Sequence, residues 1–359
     1  MAAKKSNNKN KGTKIVLIVE IIIIVLLLAA LLIYLYIANK ETFEGNDVVN
    51  ITEIEVNELS QETQEILKGY ESIALFGVDN RTNGDYTTGN SDSIMVVNIN
   101  KDTKEVKVIS VYRDTYLEVS NDTYRKCNYA YNHGGPEQAI AMLNANLDMD
   151  IKEYVAVDFY ALAAVADALG GVTVDISNEV AEWMPAYIDE VSAITGFKTN
   201  RNVGAGTQHL DGVQTVAYCR IRYATGDDFA RAQRQREVLT QLATKGINSD
   251  AGTVAKVVDQ VLGYVSTNIT PTQIMSLAAD MKSYTLSGTM GFPFNRTTGV
   301  YGSAGDLVVP TTLESNVIEL HQFFFGRDAY EPSDNVKSTS QYISNFTGTN
   351  ESSGIRSSY

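Results

Sequence analysis

Arginines and aspartates recur in this chain at the ends of apolar runs, where a fold could gather them. Asp79 and Arg81 stand in Gly77-Val78-Asp79-Asn80-Arg81, Asp92 in Ser91-Asp92-Ser93, and Arg113 in Tyr112-Arg113-Asp114-Thr115. Arg220 and Arg222 follow in Tyr218-Cys219-Arg220-Ile221-Arg222, then Asp228, Arg231 and Gln235 in Asp228-Phe229-Ala230-Arg231-Ala232-Gln233-Arg234-Gln235. The planar guanidinium fork matches phosphate oxygens bidentately and stays charged. Two convergent carboxylates suit a hard cation such as Mg²⁺, which takes one or two of them plus phosphate oxygens. Arg81, Arg113, Arg220, Arg222 and Arg231 around a cation held by Asp79 and Asp92 would suit a pyrophosphate. Phosphoryl transfer asks mainly for positioning and charge neutralisation. Each run also has a plainer reading. Aspartates commonly serve turns and caps, and Asp228, Arg231 and Gln235, at i, i+3 and i+7, could be a solvated helix stripe. The sequence has no Walker A loop and no HExxH helix, and His133, His209 and His321 show no metal spacing, which argues against nucleotide hydrolysis and zinc chemistry.

To bring these groups together the chain needs strands that end in charge. Ser72–Asp79 is a continuous apolar run closed by a carboxylate, the pattern of a strand buried on both faces. A Gly, Asn and Thr-rich loop over 80–90 leads to a second strand, Ser93–Ile99, and a turn at 101–104 to a third, Val106–Tyr112. If the first two are antiparallel neighbours, Asp79 and Asp92 meet at one sheet edge. Gly134-Gly135-Pro136 breaks the chain before a helix over Glu137–Leu147. Tyr154–Val157 reads as a strand, Asp158 caps the next helix, and Gly170-Gly171 ends it before a strand at Val172–Ile176. Residues 178–205, with the single tryptophan Trp183, read as a surface excursion. Thr215–Tyr223 has strand character, which would place Arg220 and Arg222 on one face and Cys219 and Ile221 toward the core. A strong helix spans Asp228–Lys245, and further helices are expected over Ala251–Thr267 and Thr272–Ser283. Alternating strands and helices give an α/β layered domain, a three-layer αβα sandwich around a mixed sheet, over 70–326. The Ser, Thr, Asn and Tyr-rich stretch 327–359 reads as a flexible tail.

The N-terminus has a different chemistry. Ile15–Ala38 is a nearly all-apolar run of 24 residues, long enough at about 1.5 Å per residue to span a bilayer. A removable signal peptide would be shorter and followed by a small-residue cleavage site. Here the run closes on Tyr34 and Tyr36, where an interfacial belt would sit. Five lysines precede it, whereas Lys40, Glu41 and Glu44 follow. The positive-inside bias then makes 1–14 a cytoplasmic tail and 15–38 the transmembrane helix. Residues 39–69 become an outer spacer with one short helix. Cys127 and Cys219 fall in the exterior part, where they could form a disulfide or be two small buried hydrophobes. A formal net charge of -14 excludes a general nucleic-acid binder, so an anionic ligand would need a local basic site.

These segments resemble the signature of the LytR-CpsA-Psr family. The likeness rests on residues 77–81, 91–93 and 113–115, on Lys126-Cys127-Asn128-Tyr129-Ala130-Tyr131 with Gly134-Gly135-Pro136, and on Asp167-Ala168-Leu169-Gly170-Gly171-Val172. It closes with Arg220-Ile221-Arg222 and the run 228–235, in the family's order, behind one N-terminal span. Tyr112 stands where the family often has proline, and Cys127 where an aliphatic residue is common. The resemblance implies an extracytoplasmic domain anchored in the membrane of a bacterium of the Gram-positive kind. That domain would bind a polyprenyl pyrophosphate, with its lipid in an apolar pocket. Asp79 and Asp92 would hold Mg²⁺ (or Mn²⁺), and with Arg81 and Arg113 would form the catalytic set. Arg81, Arg113, Arg220, Arg222, Arg231 and Gln235 would lie on the pyrophosphate, with Asp228 in support. The donor would be a teichoic acid, capsule or similar glycopolymer on its lipid carrier, and the acceptor a peptidoglycan sugar hydroxyl. Three activities share that site: phosphotransfer to the wall, hydrolysis of the lipid pyrophosphate, and regulatory binding without turnover.

Overall fold

In a computed structural model of the chain, the described residues run from 54 to 356, apart from 80–85, 87–88, 225–226, 250–263, 271–272, 274–275, 278–279, 281–282 and 328. The expected cytoplasmic tail, the apolar run 15–38, the spacer up to residue 53, Arg81 and residues 251–263 of the helix expected over 251–267 lie outside them. No helix among the described residues is long and apolar enough to cross a membrane.

Ser60 caps helix α1 (Gln61–Lys68) by accepting from the Thr63 N–H. Strands β1 (Tyr70–Asp79), β2 (Asn90–Asn100) and β3 (Glu105–Val111) follow, then the hairpin β4 (Tyr116–Ser120) and β5 (Thr123–Lys126). Helix α2 (Asn128–Leu147), β6 (Glu153–Val157) and α3 (Phe159–Ala168) come next. After them stand β7 (Val172–Ile176), α4 (Asn178–Thr195), β8 (Gly206–Leu210), α5 (Gly212–Arg220) and α6 (Asp227–Asn248). The remaining elements are β9 (Val265–Thr267), β10 (Thr285–Phe292), β11 (Asn295–Val300), β12 (Asp306–Pro310), α7 (Leu313–Phe325), α8 (Asp334–Thr347) and β13 (Ile355–Arg356).

Six strands form the central sheet in the order β10-β3-β2-β1-β6-β9. β1 is antiparallel to β2 and parallel to β6, and β10 runs parallel to β3, so the sheet is mixed. β1 and β2, at its centre, carry continuous apolar runs because each face has its own cover. On one side Ile73, Leu75, Met95 and Val155 pack with Ala163 of α3, Val216 of α5 and Val238 of α6. On the other, Phe76, Ile94 and Ile109 pack with Ile140 of α2, Leu320 of α7 and Ile343 of α8. The result is the layered mixed sheet with flanking helices that the alternation of elements predicts.

Several local expectations are corrected. Thr215–Tyr223 is not a strand, because α5 occupies Gly212–Arg220. Asp211 and Gln214 form a capping box at its start. Residues 212–219 are all buried, so no polar face displays the helical period. The excursion at 178–205 contains α4, capped by Ser177 and ended by Gly196 with φ at +73°. Val172–Ile176 is a strand, but it pairs with β8 in a two-stranded ladder outside the central sheet. The break at Gly134-Gly135 lies inside α2, where Gly135 takes φ +66°, and helical backbone already begins at Asn128. Val265–Thr267, expected as a helix end, is strand β9 beside β6. Residues 327–359 are not simply a flexible tail. Ser333 caps α8, which buries Val336, Thr339, Ser340 and Ile343. Cys127 and Cys219 are both free, and they belong to the cores on opposite faces of the sheet. That arrangement leaves no disulfide between them.

Candidate functional site

The site begins with an irregularity. β1 and β2 pair regularly from Tyr70↔Asn100 to Gly77↔Ser93, then shift register, with Val78 opposite Ser91 and Asp79 opposite Asn90. Asp92 is the extra residue in that bulge, a feature that re-aims a side chain at a sheet end. Gly77 permits the close approach, since a Cβ there would lie 3.0 Å from the Ser93 Cβ. Asp79 and Asp92 therefore stand on adjoining ends of paired strands, as the antiparallel reading requires.

Asp92 turns toward the end of β3. Arg113 Nη1 lies 2.5 Å from Asp92 Oδ1, and Arg113 Nε lies 3.1 Å from Asp228 Oδ2. Asp228 opens α6 and also accepts from Arg231 Nη2 at 2.9 Å, while its Oδ1 is 3.3 Å from Arg222 Nε. Arg231 Nη1 comes within 3.9 Å of Asp92 Oδ2, closing the cluster. Asp114 sits 3.6 Å from Arg113 and 3.0 Å from Lys126 Nζ. Burial opposes the charge on Arg113, but Asp92, Asp228 and Asp114 outweigh it and raise its pKa. Arg231 goes the other way: burial and the neighbouring Arg113 guanidinium lower its pKa, with Asp228 and Asp92 offsetting only part. Arg231 is thus a deeply placed cation whose charge gains from any added anion.

An aromatic clasp sets this geometry. Tyr112 and Phe229, next to Arg113 and Asp228, meet edge to face with centroids 4.7 Å apart, a contact worth about 1 kcal/mol beyond area burial. The Arg296 guanidinium covers both rings, at 4.8 and 4.2 Å from their centroids. Gly291 leaves room for Tyr112, whose ring a Cβ there would strike. Arg234 donates to the Tyr218 and Ile221 carbonyls, pinning the end of α5 to α6.

The two arginines assigned to one strand face diverge instead. Arg222 joins the cluster through Asp228. Arg220, the last residue of α5, pairs with Glu190 of α4 at 3.2 Å and stacks 4.4 Å from the Phe159 ring centroid. A helix end separates residues two apart by direction as well as distance, so the period-two argument fails there. Arg81 lies outside the described residues.

Phe159 introduces the second half of the site. Between the sheet and helices α3, α5 and α6 lies a cavity of about 150 Å³, walled by Leu75, Met95, Val155, Phe159, Val216 and Val238. Asp92 and Gln235 are among its few polar lining groups. Gln235 also donates to the Cys219 carbonyl at 3.3 Å. Along α6 the chemistry grades from Asp228 and Arg231 through Gln235 to Val238 and Leu239, each three or four residues on and so on one face. Charge and apolar cavity are thus continuous, and Asp92 belongs to both. Such a site can take an anionic headgroup with an apolar tail. Sequence reasoning missed Lys126 and Glu190. Lys126 had only a position inside a quoted motif as its signal, and Glu190 had none.

The chain is 31% identical over 216 residues to the polyisoprenyl-teichoic acid–peptidoglycan teichoic acid transferase TagU of Bacillus cereus, covering 59% of this chain and 64% of TagU. It is 30% identical over 236 residues to TagV of Bacillus subtilis, which carries the same transferase description, covering 63% of this chain and 57% of TagV. The chain therefore spans less than two thirds of either relative. The crystal structure of B. subtilis TagV superposes with a TM-score of 0.55 at 25% identity, over 74% of this chain and 99% of that one. The LytR_cpsA_psr family matches residues 33–300, a stretch that holds the whole central sheet and the charge cluster. With the sheet, the clustered arginines and the sequence match in agreement, the chain belongs to the LytR_cpsA_psr family.

Proposed function

We propose that this protein transfers a polyprenyl-pyrophosphate-linked glycopolymer, such as a teichoic acid or capsule chain, onto a peptidoglycan sugar hydroxyl. The observation that carries this reading is the double placement of Asp92, in the apolar cavity and against Arg113 at 2.5 Å. The prenyl chain would enter among Leu75, Val155 and Val238. Its pyrophosphate would take over the guanidiniums of Arg113, Arg222 and Arg231, which the free protein neutralises with Asp92 and Asp228. Arg220 and Gln235 would border the headgroup from the cavity side, and Arg81 remains a proposed phosphate ligand on the sequence motif alone. The acceptor oxygen attacks the sugar-proximal phosphorus and forms a new P–O bond. The bond to the bridging oxygen breaks, polyprenyl phosphate leaves with that electron pair, and the hydroxyl proton passes to the leaving phosphate or to solvent. The names of TagU and TagV, which state transfer of teichoic acid to peptidoglycan, support this over hydrolysis or binding without turnover.

Asp79 and Asp92 fit Mg²⁺ or Mn²⁺ by the hardness of their oxygens and their place on adjoining strand ends. Among the described residues no group of three or more His, Cys, Asp or Glu could hold a metal. Such an ion would be held by these two carboxylates and completed by phosphate oxygens. Bound there, the ion would neutralise charge on the pyrophosphate. Anchoring by 15–38, with 1–14 in the cytoplasm and the folded domain outside a Gram-positive cell membrane, would place the cavity beside the lipid's source.

The test uses the full chain in lipid vesicles with lipid-linked polymer and peptidoglycan. The expected product is polymer joined through a phosphodiester, with polyprenyl phosphate released. Replacing both Asp79→Ala and Asp92→Ala lowers transfer at least about a hundredfold, the scale on which charge-stabilising groups act. Undiminished transfer by the double variant, or free polymer phosphate as the sole product, overturns the proposal.

A further inference from the structure

The Asp92–Arg113 pair has a second side. Arg113 also lines a groove of about 610 Å³, bordered by Asn90, Tyr124, Arg125, Lys126 and Phe346, a size that suits a small-ligand site. Its floor lies over the core on the opposite face of the sheet from the apolar cavity, since Tyr116 and Leu307 of that core line it. The hairpin β4–β5 and helix α8 supply aromatic platforms. Tyr124 and Tyr342 stack with centroids 3.7 Å apart, and Tyr116 and Phe346 stack at 5.2 Å. Phe346 and Tyr342 each remain 46% exposed, well above the burial of a core aromatic. Arg125 is exposed and lies 5.1 Å over the Tyr129 ring.

We infer that this groove binds the sugar rings of the acceptor glycan, a deepening that rests on the transferase reading. The exposed Phe346 ring, backed by buried Tyr116, offers a flat face to the C–H-rich side of a pyranose, while Asn90, Arg125 and Asn128 supply hydrogen bonds to hydroxyl and amide groups. The choice of acceptor over donor follows from the direction of displacement. Attacking and leaving oxygens stand roughly in line across phosphorus. The leaving polyprenyl phosphate belongs to the apolar cavity, so the attacking hydroxyl must arrive from the far side of Arg113, where the groove opens. Helix α8, which provides Phe346, lies beyond the family-matched residues 33–300.

The experiment titrates a short uncross-linked peptidoglycan glycan into the full-length chain in detergent and, in parallel, measures transfer kinetics. Phe346→Ala and Arg125→Gln are each expected to weaken glycan binding by about tenfold. They raise the KM for acceptor in the same proportion and leave the KM for lipid-linked donor unchanged. Arg125 is exposed, so its variant keeps the readout if Phe346→Ala misfolds. Glycan binding that depends on both residues, in a wild-type protein that transfers nothing, upholds the groove and removes the transferase reading. Transfer by variants that retain wild-type acceptor affinity removes the groove alone. A soluble polyol-phosphate polymer that binds more tightly than the glycan, through these same residues, also overturns the assignment, because the donor would then own the groove.

Discussion

Asp228 touches three guanidiniums, those of Arg113, Arg222 and Arg231, with a side chain only 16% exposed. An Asn in its place keeps the shape and removes the charge that lets these cations share a site. Arg231, at 4% side-chain exposure, cannot turn to water for relief. Asp228→Asn is therefore expected to cost about 2–4 kcal/mol, read as a lower urea midpoint with an unchanged slope. An unaltered midpoint would mean that Asp228 does not hold the cluster together. At this scale much was legible. Asp92, Arg113, Arg222, Asp228 and Arg231 converge because charged residues beside apolar runs mark strand and helix ends. Arg220 was misplaced, since its direction depends on whether Thr215–Cys219 is strand or helix. Glu190, its partner, sat in a segment whose type was not readable.

Elements with a continuous apolar run, a clear cap or one polar face were the readable ones. β1 to β3, α3 and α6 follow from apolar runs, an Asp158 cap and the strong pattern after residue 227. α5 defeated the reading because it is buried on every side. α8 escaped it because two of its buried residues, Thr339 and Ser340, are polar. The packing of α7 against the end of α2 offers its own test. His321 stacks on Tyr330 at 3.6 Å, and its neutral Nε2–H donates to the Leu147 carbonyl at 3.0 Å. Burial, more than any neighbour, lowers its pKa from 6.5 to about 4. Between those values the unfolded chain binds a proton that the folded chain refuses. Stability is therefore full above pH 6.5 and falls as pH drops toward 4, by up to about 3 kcal/mol. Denaturant titrations at pH 7 and pH 4.5 check this against His321→Gln, which should flatten the difference. Equal pH slopes in the two proteins would contradict it.

The whole molecule is acidic, at -14, and the five lysines before residue 15 make the remainder more so. The proposed anion site is consequently local, built from a cluster of arginines around the buried Arg231 rather than from a basic surface. The sheet separates two chemistries. On one face an apolar cavity meets the charge cluster, and on the other a polar, aromatic groove reaches the same Arg113. The free thiols fall one to each side, with burial pushing Cys219 up to about 12, so the halves are joined by packing and the ion pairs. That two-sided plan could not be read from sequence, because it depends on the bulge at Asp92 and on a helix beyond the recognisable motifs.

A crystal structure of the full-length chain with a polyprenyl pyrophosphate tests this plan most directly. The prenyl chain should lie among Leu75, Val155 and Val238, with phosphate oxygens on Arg113, Arg222 and Arg231 and the groove beyond Arg113 left open. A headgroup bound away from Arg113, or a prenyl chain outside that cavity, would contradict it.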